Sequence, residues 1–148
     1  MRSVREIVVS ISFVLCCATA TAKVEEETLC FQAAGNEKVY LAFKYYLDSG
    51  LNQQLGALAQ YGPSRAVIPL VFLDDSTSNP ALDWELHWLE IVDGKPGGIY
   101  SLSKPKSATV AAAYLTYRSA KTRKERLFRP SAGSNGECSI TVQGAAGR

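Results

Sequence analysis

The chain has 148 residues, and its 16 Lys and Arg side chains are nearly balanced by 14 Asp and Glu side chains, which leaves a formal net charge of +2. This length is that of one ordinary domain. The near-neutral charge excludes a global attraction to nucleic acid or to an anionic membrane.

The N-terminal segment, residues 1–22, has the pattern of a secretory signal peptide. Arg2 and Arg5 precede a mostly apolar stretch that is too short to span a bilayer, and small residues precede the expected cleavage site before Lys23. We therefore expect an exported protein, periplasmic or secreted. Its mature domain covers residues 23–148 and has no transmembrane segment.

Two cysteines in this segment, Cys16 and Cys17, allow a second interpretation, in which a lipid-modified cysteine anchors the protein to a membrane. Residues 13–15 before them are Phe-Val-Leu and lack the small side chains that such a site usually needs. A buried N-terminal helix is a third interpretation. The signal peptide fits the pattern best.

The first part of the mature chain predicts two strands. Residues 23–27 form a charged leader that we expect to be mobile, and residues 28–32 form a short strand that contains Cys30. The clearest strand follows. One of its faces carries Val39, Leu41, Phe43, Tyr45 and Leu47, and the other carries Lys38, Tyr40, Ala42, Lys44 and Tyr46. This alternation predicts a half-buried strand.

Two less clear segments come next. Residues 51–61 fit either a helix with leucines on one face or a short strand, and Gly56 weakens both interpretations. Residues 66–73 are continuously apolar and predict a strand that is covered on both faces. Pro69 within this run lacks a backbone donor, so we expect it at a sheet edge or a bulge.

A polar loop over residues 74–80 leads to residues 84–92, which predict a bulged strand or a helical turn. We favour the strand because residues 93–98 then connect it to residues 99–102 as a hairpin.

The last third of the chain predicts strands over residues 109–117, 123–128 and 138–142, separated by turns and a loop of small residues. A total of about eight or nine strands with turn signals between them indicates an all-β, mainly antiparallel protein. We expect a single-domain meander that is closed as a barrel or folded as a sandwich, with one short helix as an option.

Cys30 and Cys138 are the two cysteines that remain after removal of the predicted signal. In an exported chain, one cysteine near each end is most simply interpreted as a disulfide. Because a disulfide holds two Cα atoms within about 7 Å of each other, this bond would place the first and last strands side by side. It would thereby cover two sheet edges that are otherwise open to pairing.

His87 is the single histidine, and Glu85 would share its face of a strand. A metal site or an acid–base site is conceivable there. However, zinc normally takes several His or Cys ligands, and the chain has no second histidine. No serine lies in a Gly-x-Ser-x-Gly elbow. We therefore predict no catalytic residues, no metal site and no cofactor, and a structural or exposed role for His87.

Basic residues are concentrated in one segment, which contains Arg118, Lys121, Arg123, Lys124, Arg126 and Arg129. This segment is either a solvated hairpin whose charges protect a sheet edge or a basic surface for an anionic partner. Tyr40 and Tyr46 lie on the polar face of their strand, where tyrosine either covers a half-buried sheet or contributes to a contact surface. The candidate binding surface therefore comprises Tyr40, Tyr46, Arg118, Arg123, Lys124 and Arg126.

These observations favour a non-catalytic binding module, such as a periplasmic inhibitor or an immunity-type protein. Its partner would be another protein or an anionic surface, not nucleic acid. The alternative is a carrier of a small apolar ligand inside a barrel, and an enzyme of unrecognised type is third. A continuous internal cavity would favour the carrier, and a filled interior with an exposed Tyr/Arg patch would favour the binding module. A cleft that gathers Glu85, His87 and a further acid would favour the enzyme.

Overall fold

A computed structural model describes residues 23–62, 64, 66–76, 78–131, 138 and 140 of the chain. These residues contain eight strands: β1 (Val24–Ala33), β2 (Asn36–Asp48), β3 (Gln53–Tyr61), β4 (Val67–Asp75), β5 (Leu82–Val92), β6 (Lys95–Pro105), β7 (Tyr114–Ser119) and β8 (Glu125–Pro130). Each strand pairs antiparallel with the next, and β8 pairs with β1. The predicted all-β antiparallel meander is confirmed, and it closes as a barrel.

Side chains from alternate strand positions fill the interior of the barrel. The largest fully buried hydrophobic residues are Trp88, Tyr100, Phe31, Phe43, Phe128, Leu41, Leu102 and Leu115. The Trp88 ring centroid lies 5.1 Å from that of Phe43 and 5.9 Å from that of Phe72, so the rings pack directly against one another. Leu41, Phe43 and Tyr45 are all buried, which confirms the predicted inward face of β2.

The two ends of the barrel differ in their connections. The connections after β1, β3, β5 and β7 all lie at one end, which we call the hairpin end. A two-residue turn there joins β5 to β6 through Asp93 and Gly94, with φ angles of 50° and 72°. A tight hairpin turn of this kind requires positive φ at both central residues.

The charged segment at the start of the mature chain belongs to the sheet, and the prediction of a mobile leader was wrong. β1 begins at Val24, which lies opposite Asp48 of β2. The Ser49 backbone N–H donates a hydrogen bond to the Lys23 carbonyl oxygen at 3.0 Å. Backbone pairing does not require apolar side chains, so the charged composition of this segment did not indicate whether it pairs with a neighbouring strand.

The prediction that the fourth strand is covered on both faces was also wrong. Leu70 is 4% exposed, whereas Val71 and Leu73 are 52% and 44% exposed. The barrel wall is a single sheet, so its outward-facing residues contact solvent even when they are apolar. Pro69 lies opposite Leu58 in the β3–β4 ladder and just beyond the β4–β5 ladder, whose pairing begins at Leu70.

Several strand boundaries differ from those predicted. The ambiguous stretch at 51–61 contains a strand, β3, and β5 is a bulged strand as favoured above. The stretch at 109–117 begins with a 3₁₀ turn at Val110–Ala112, where alanines provide no branched side chains to favour pairing. The strand predicted at 123–128 is β8, which starts two residues later because Arg123 has a φ of 56° and belongs to the turn.

The sulfur atoms of Cys30 and Cys138 lie at bonding distance, and their Cα atoms are 5.8 Å apart. The predicted pairing of these two cysteines is therefore confirmed. β1 also pairs directly with β8, through residues 31–33 and 128–130. Apart from Cys138 and Ile140, the strand predicted at 138–142 lies outside the described residues.

The predicted signal peptide, including Cys16 and Cys17, also lies outside the described residues. Export and lipid anchoring therefore stay predictions. Within the part of the chain that the structure describes, no helix has the length and apolar character needed to cross a membrane.

Candidate functional site

A row of directly opposite residues crosses the outer face of five strands, from β4 to β8. In strand order, the row is Val71, Leu89, Ile99, Arg118 and Glu125. Directly opposite residues place their side chains on the same face of a sheet. The register therefore sets three apolar side chains in line with an arginine and a glutamate on the outside of the barrel.

The middle of this row lies in a groove with a volume of about 510 Å³. The residues that line the groove are Leu89, Gly98, Ile99, Arg118, Ser119, Ala120 and Arg123. Leu89 and Ile99 supply an apolar floor, while Arg118 on β7 and Arg123 in the following turn supply positive charge. Val71 extends the apolar surface beyond Leu89. We call this site the basic groove.

Backbone hydrogen bonds position the β7–β8 turn beside the groove. The Ala120 N–H donates to the Gly97 carbonyl oxygen at 2.9 Å, which ties the turn to β6. The Arg123 N–H donates to the Ser119 carbonyl oxygen, also at 2.9 Å. Arg123 thus reaches the groove from a turn and not from a strand face, so strand alternation could not place it.

Two lysines elsewhere on the barrel form ion pairs, whereas the arginines of the basic groove form none with a described residue. Lys44 lies 3.1 Å from Glu26, and Lys104 makes a 2.6 Å contact with an aspartate, so both lysines are paired. Arg118 and Arg123 are exposed, and neither forms an ion pair with a described residue. Unpaired guanidinium groups can bind a carboxylate through two parallel hydrogen bonds.

The other basic residues of the candidate surface lie away from the groove lining. Lys124 is exposed in the β7–β8 turn. Arg126 lies directly opposite Tyr117, whose ring packs against Tyr100 with centroids 4.7 Å apart. Arg126 is therefore on the inward-facing side of β8, at the hairpin end of the barrel.

The two tyrosines of the candidate surface are remote from these arginines. Tyr40 is 41% exposed and Tyr46 is half-buried, and both lie on the outer side of β2. In the closed barrel, β1 and β8 separate β2 from β7. The structure thus brings Arg118 and Arg123 together but does not join Tyr40 or Tyr46 to them.

Sequence reasoning missed Val71, Leu89 and Ile99 as site residues. The period-two pattern indicates which residues of a strand share a face, but it does not indicate which residues of two strands lie opposite each other. That register depends on bulges, and β5 has a register shift between Leu89 and Ile91. The order of apolar residues in this strand indicated a bulge, but it did not show which residues of β6 would lie opposite those of β5.

A polar cluster around His87 lies on the outer side of β5. The His87 Nδ1 atom is 2.8 Å from the Ser101 hydroxyl, and Nε2 is 3.0 Å from the Ser76 hydroxyl. Carboxylates of Asp74 and Glu85 each lie 3.8 Å from Nε2. A serine–histidine–acid relay requires an acid hydrogen-bonded to the ring. Here serine hydroxyls occupy both ring nitrogens, and the acids are beyond hydrogen-bond distance.

Comparison with known proteins adds no functional assignment, because no protein-family model, curated protein or solved structure matches this chain. In the described part of the chain, no group of three or more His, Cys, Asp or Glu side chains is arranged to hold a metal ion. The basic groove is therefore the candidate functional site, since exposed apolar surface and unpaired charge meet there.

Proposed function

We propose that this protein is an exported, non-catalytic binding module that holds an acidic segment of a partner protein in the basic groove. The observation that carries the proposal is the apolar floor of Leu89 and Ile99 beside the unpaired Arg118 and Arg123. An inhibitor or an immunity-type protein would be a module of this kind.

The two parts of the groove would have different roles. Apolar side chains of the partner would gain affinity by leaving water against the floor. Carboxylates of the partner would pair with the arginines, which speeds association and selects the partner by charge. A volume of about 510 Å³ is in the range of small-molecule sites, so the groove suits a short inserted segment.

The chemistry of the groove favours an acidic protein segment over nucleic acid. Nucleic-acid binding uses a basic stripe or patch that follows the phosphate backbone. Here two arginines border apolar side chains, and the formal net charge of the chain is only +2. An apolar floor provides no hydrogen-bond donor or positive charge for a phosphate, but it can bury the aliphatic side chains of a peptide.

The state of the barrel interior supports surface binding over an internal carrier function. A carrier barrel needs an internal cavity for its ligand. In this barrel the centre is occupied by Phe43, Trp88 and Tyr100, which are each 0% exposed. Because these side chains occupy the interior, a partner would bind at the outer surface or at an end of the barrel.

Two features support export. Residues 1–22 have the pattern of a signal peptide, and disulfides form and persist mainly in oxidising compartments outside the cytosol. Cys30 and Cys138 are placed for such a bond.

The test of the basic groove uses two synthetic peptides that differ only in charge. One alternates Leu with Glu, and the other alternates Leu with Lys. Binding to the mature domain is followed by NMR shifts of the Leu89 and Ile99 methyl groups. We expect saturable shifts with the acidic peptide alone, and a weaker affinity as salt rises because screening reduces the attraction between exposed charges.

The matched variants remove two exposed positive charges inside or outside the groove. Arg118→Ser with Arg123→Ser should weaken binding of the acidic peptide by about tenfold or more, at about 1.4 kcal/mol per tenfold. Lys38→Ser with Lys106→Ser should leave it nearly unchanged. Equal weakening by both pairs would mean that net charge alone drives binding. Failure of the acidic peptide to shift either methyl group would overturn the assignment of the site.

A further inference from the structure

At one place in the barrel wall, two neighbouring strands stop pairing although both continue. The β3–β4 ladder runs only from Ala57 opposite Leu70 to Gln60 opposite Val67. Beyond Ala57 and Leu70, β3 still includes residues 53–56 and β4 still includes residues 71–75. This part of β3 pairs with β2, and this part of β4 pairs with β5. We call these two stretches the unpaired edges, because neither has a partner on its other side among the described residues.

The unpaired edges lie at the end of the barrel opposite the hairpin end, since β3 begins there and β4 ends there. At Gly56 the two strands are still close. A Cβ atom on Gly56 would lie 3.3 Å from the Leu70 carbonyl oxygen. The strands therefore separate beyond this glycine.

A bulge in each strand explains why the ladder ends. In the β2–β3 ladder the register shifts so that Leu55 has no partner on β2. In the β4–β5 ladder it shifts so that Leu73 has no partner on β5. A bulge bends its strand and increases the local twist. Both bulges lie just beyond the last β3–β4 pair, so bending of the two strands accounts for their separation.

Solvent reaches both unpaired edges. Leu55 on β3 is 49% exposed, and Val71 and Leu73 on β4 are 52% and 44% exposed. The side chain of Asp74, next along β4, is 61% exposed. Apolar side chains beside a covered edge would be shielded from water. This exposure therefore shows that no described segment lies over either edge.

The junction between β8 and β1 is also uneven, but the chain itself returns to it. β1 pairs with β8 through residues 31–33 and extends beyond that ladder. There Cys30 lies at bonding distance from Cys138, which brings a later part of the chain to β1. In the described part of the chain, the unpaired edges of β3 and β4 have no comparable covering segment.

Hydrogen-bond acceptors and negative charge are concentrated at the unpaired edges. The Gln54 Oε1 atom is buried and has no hydrogen-bond partner among the described residues. Asp74 and Asp75 are exposed at the end of β4, and no described lysine or arginine forms an ion pair with either carboxylate. Asp74 lies 3.8 Å from the His87 Nε2 atom. A complementary occupant would therefore supply hydrogen-bond donors and positive charge.

We propose that the unpaired edge of β4 binds an extended, basic segment of a partner protein, which adds a strand beside residues 71–75. A free strand edge presents a row of backbone donors and acceptors, and an extended peptide pairs with such an edge through main-chain hydrogen bonds. This stretch of β4 spans about 16 Å at 3.3 Å per residue, which suits a strand of ordinary length.

The side chains of the added segment would have two roles. Its Lys and Arg side chains pair with Asp74 and Asp75, and its apolar side chains cover Val71 and Leu73. This site differs from the basic groove in position and in the charge that it selects. The proposal does not depend on the acidic segment proposed for the groove.

The probe for strand addition is a short peptide, blocked at both ends, that alternates Val with Lys. We expect saturable NMR shifts of the Leu55 and Leu73 methyl groups in the mature domain. We also expect slower hydrogen exchange of the edge amides, which are the backbone N–H groups of residues 71–75 that point away from β5. The Leu89 and Ile99 methyl groups report separately on the basic groove, so failure at one site is distinguishable from failure at the other.

An N-methylated form of the peptide tests whether backbone pairing holds it. This form keeps the side chains and loses the main-chain donors, so it should bind more weakly by about tenfold or more. Equal binding of the two forms would mean that side chains alone hold the peptide, and strand addition would be overturned.

The matched variants remove two exposed carboxylates close to the edge or far from it. Asp74→Asn with Asp75→Asn should weaken binding of the Val/Lys peptide by about tenfold or more. Asp93→Asn with Glu125→Gln acts at the hairpin end and should leave binding nearly unchanged. Asn is compatible with the positive φ at position 93. Equal weakening by both pairs would mean that net charge alone attracts the peptide, which would overturn the assignment.

Other occupants of the edge give different results without peptide. If a second copy of the chain pairs there, exchange of the edge amides slows as the protein concentration rises. If another segment of the same chain covers the edge, these amides are protected at every concentration. Either result would overturn the proposal, which requires fast exchange of the edge amides in the free domain and slower exchange after the peptide is added.

Discussion

Trp88 and Tyr100 lie directly opposite each other on β5 and β6, and both side chains are fully buried in the barrel. Their polar atoms differ in environment. The Tyr100 hydroxyl is within hydrogen-bond distance of the Tyr61 hydroxyl, whereas the Trp88 Nε1 atom has no partner in the described part of the chain. The contribution of Trp88 to stability therefore comes from the packing of its ring and not from its N–H group.

Trp88→Phe should change the free energy of unfolding by about 1 kcal/mol or less, because relief of an unsatisfied buried donor, about 1–3 kcal/mol, offsets the smaller ring. Trp88→Ala should cost about 3–5 kcal/mol because it leaves a cavity among aromatic rings. Urea unfolding followed by circular dichroism measures both changes. Similar losses for the two variants would show that the indole N–H has a bonding partner in solution.

Gly98→Ala should destabilise the barrel by about 1–3 kcal/mol, as expected for overpacking, because the added Cβ would lie 2.5 Å from the Tyr117 ring. Gly62→Ala is the control, since a Cβ there would meet its nearest neighbours at an ordinary 3.7 Å. Thermal unfolding of the two variants gives the comparison. A Gly98→Ala variant as stable as Gly62→Ala would mean that both the Tyr117 ring and the Arg118 carbonyl group move aside without cost.

The Cys30–Cys138 bond should lower the mass of the mature domain by about two units relative to the dithiol, since its formation removes two hydrogens. The two residues are 108 positions apart in sequence. In the loop-entropy model a ring of this size stabilises the fold by roughly 4–5 kcal/mol. Cys30→Ser with Cys138→Ser should therefore show a lower urea midpoint than the oxidised domain. A midpoint equal to that of the oxidised domain would contradict this prediction.

The folded barrel should lose stability at alkaline pH. Burial and neighbouring groups raise the pKa of Tyr45, Tyr61, Tyr100 and Tyr117 above 10.0, where phenols of the unfolded chain ionise. The folded state thus binds more protons above pH 10, and its stability falls as pH rises further. Below pH 10 this contribution is fully present. Absorbance at the phenolate band should show a fraction of tyrosines ionising only near pH 12 or on unfolding.

Local patterns in the sequence were sufficient for the fold class. The alternation over residues 38–47 predicted the inward face of β2, because side chains of a strand point alternately to its two sides. Turn residues such as Asp93 and Gly94 predicted a hairpin, because positive φ is restricted to few residue types. Two cysteines near the ends predicted which thiols pair.

The charged start of β1 and the exposed β4 residues show where composition misled. Val24 is in the sheet although charged residues follow it, because its pairing uses backbone groups. Val71 and Leu73 are exposed although apolar, because one face of a barrel wall meets water. Both outcomes depend on the position of a strand relative to its neighbours, which a local pattern does not contain.

The sequence by itself determined the antiparallel all-β class, the inward face of β2 and the cysteine pair, because these follow from neighbouring residues and from residue type. Only the tertiary structure decided the two candidate sites. Register across bulged strands aligned Leu89, Ile99 and Arg118, and bulges in β3 and β4 left the edges of these two strands unpaired beyond Leu70. A one-residue shift in register would reverse which side chains face outward. Contacts between distant strands are therefore fixed by closure and register together, and no single segment encodes them.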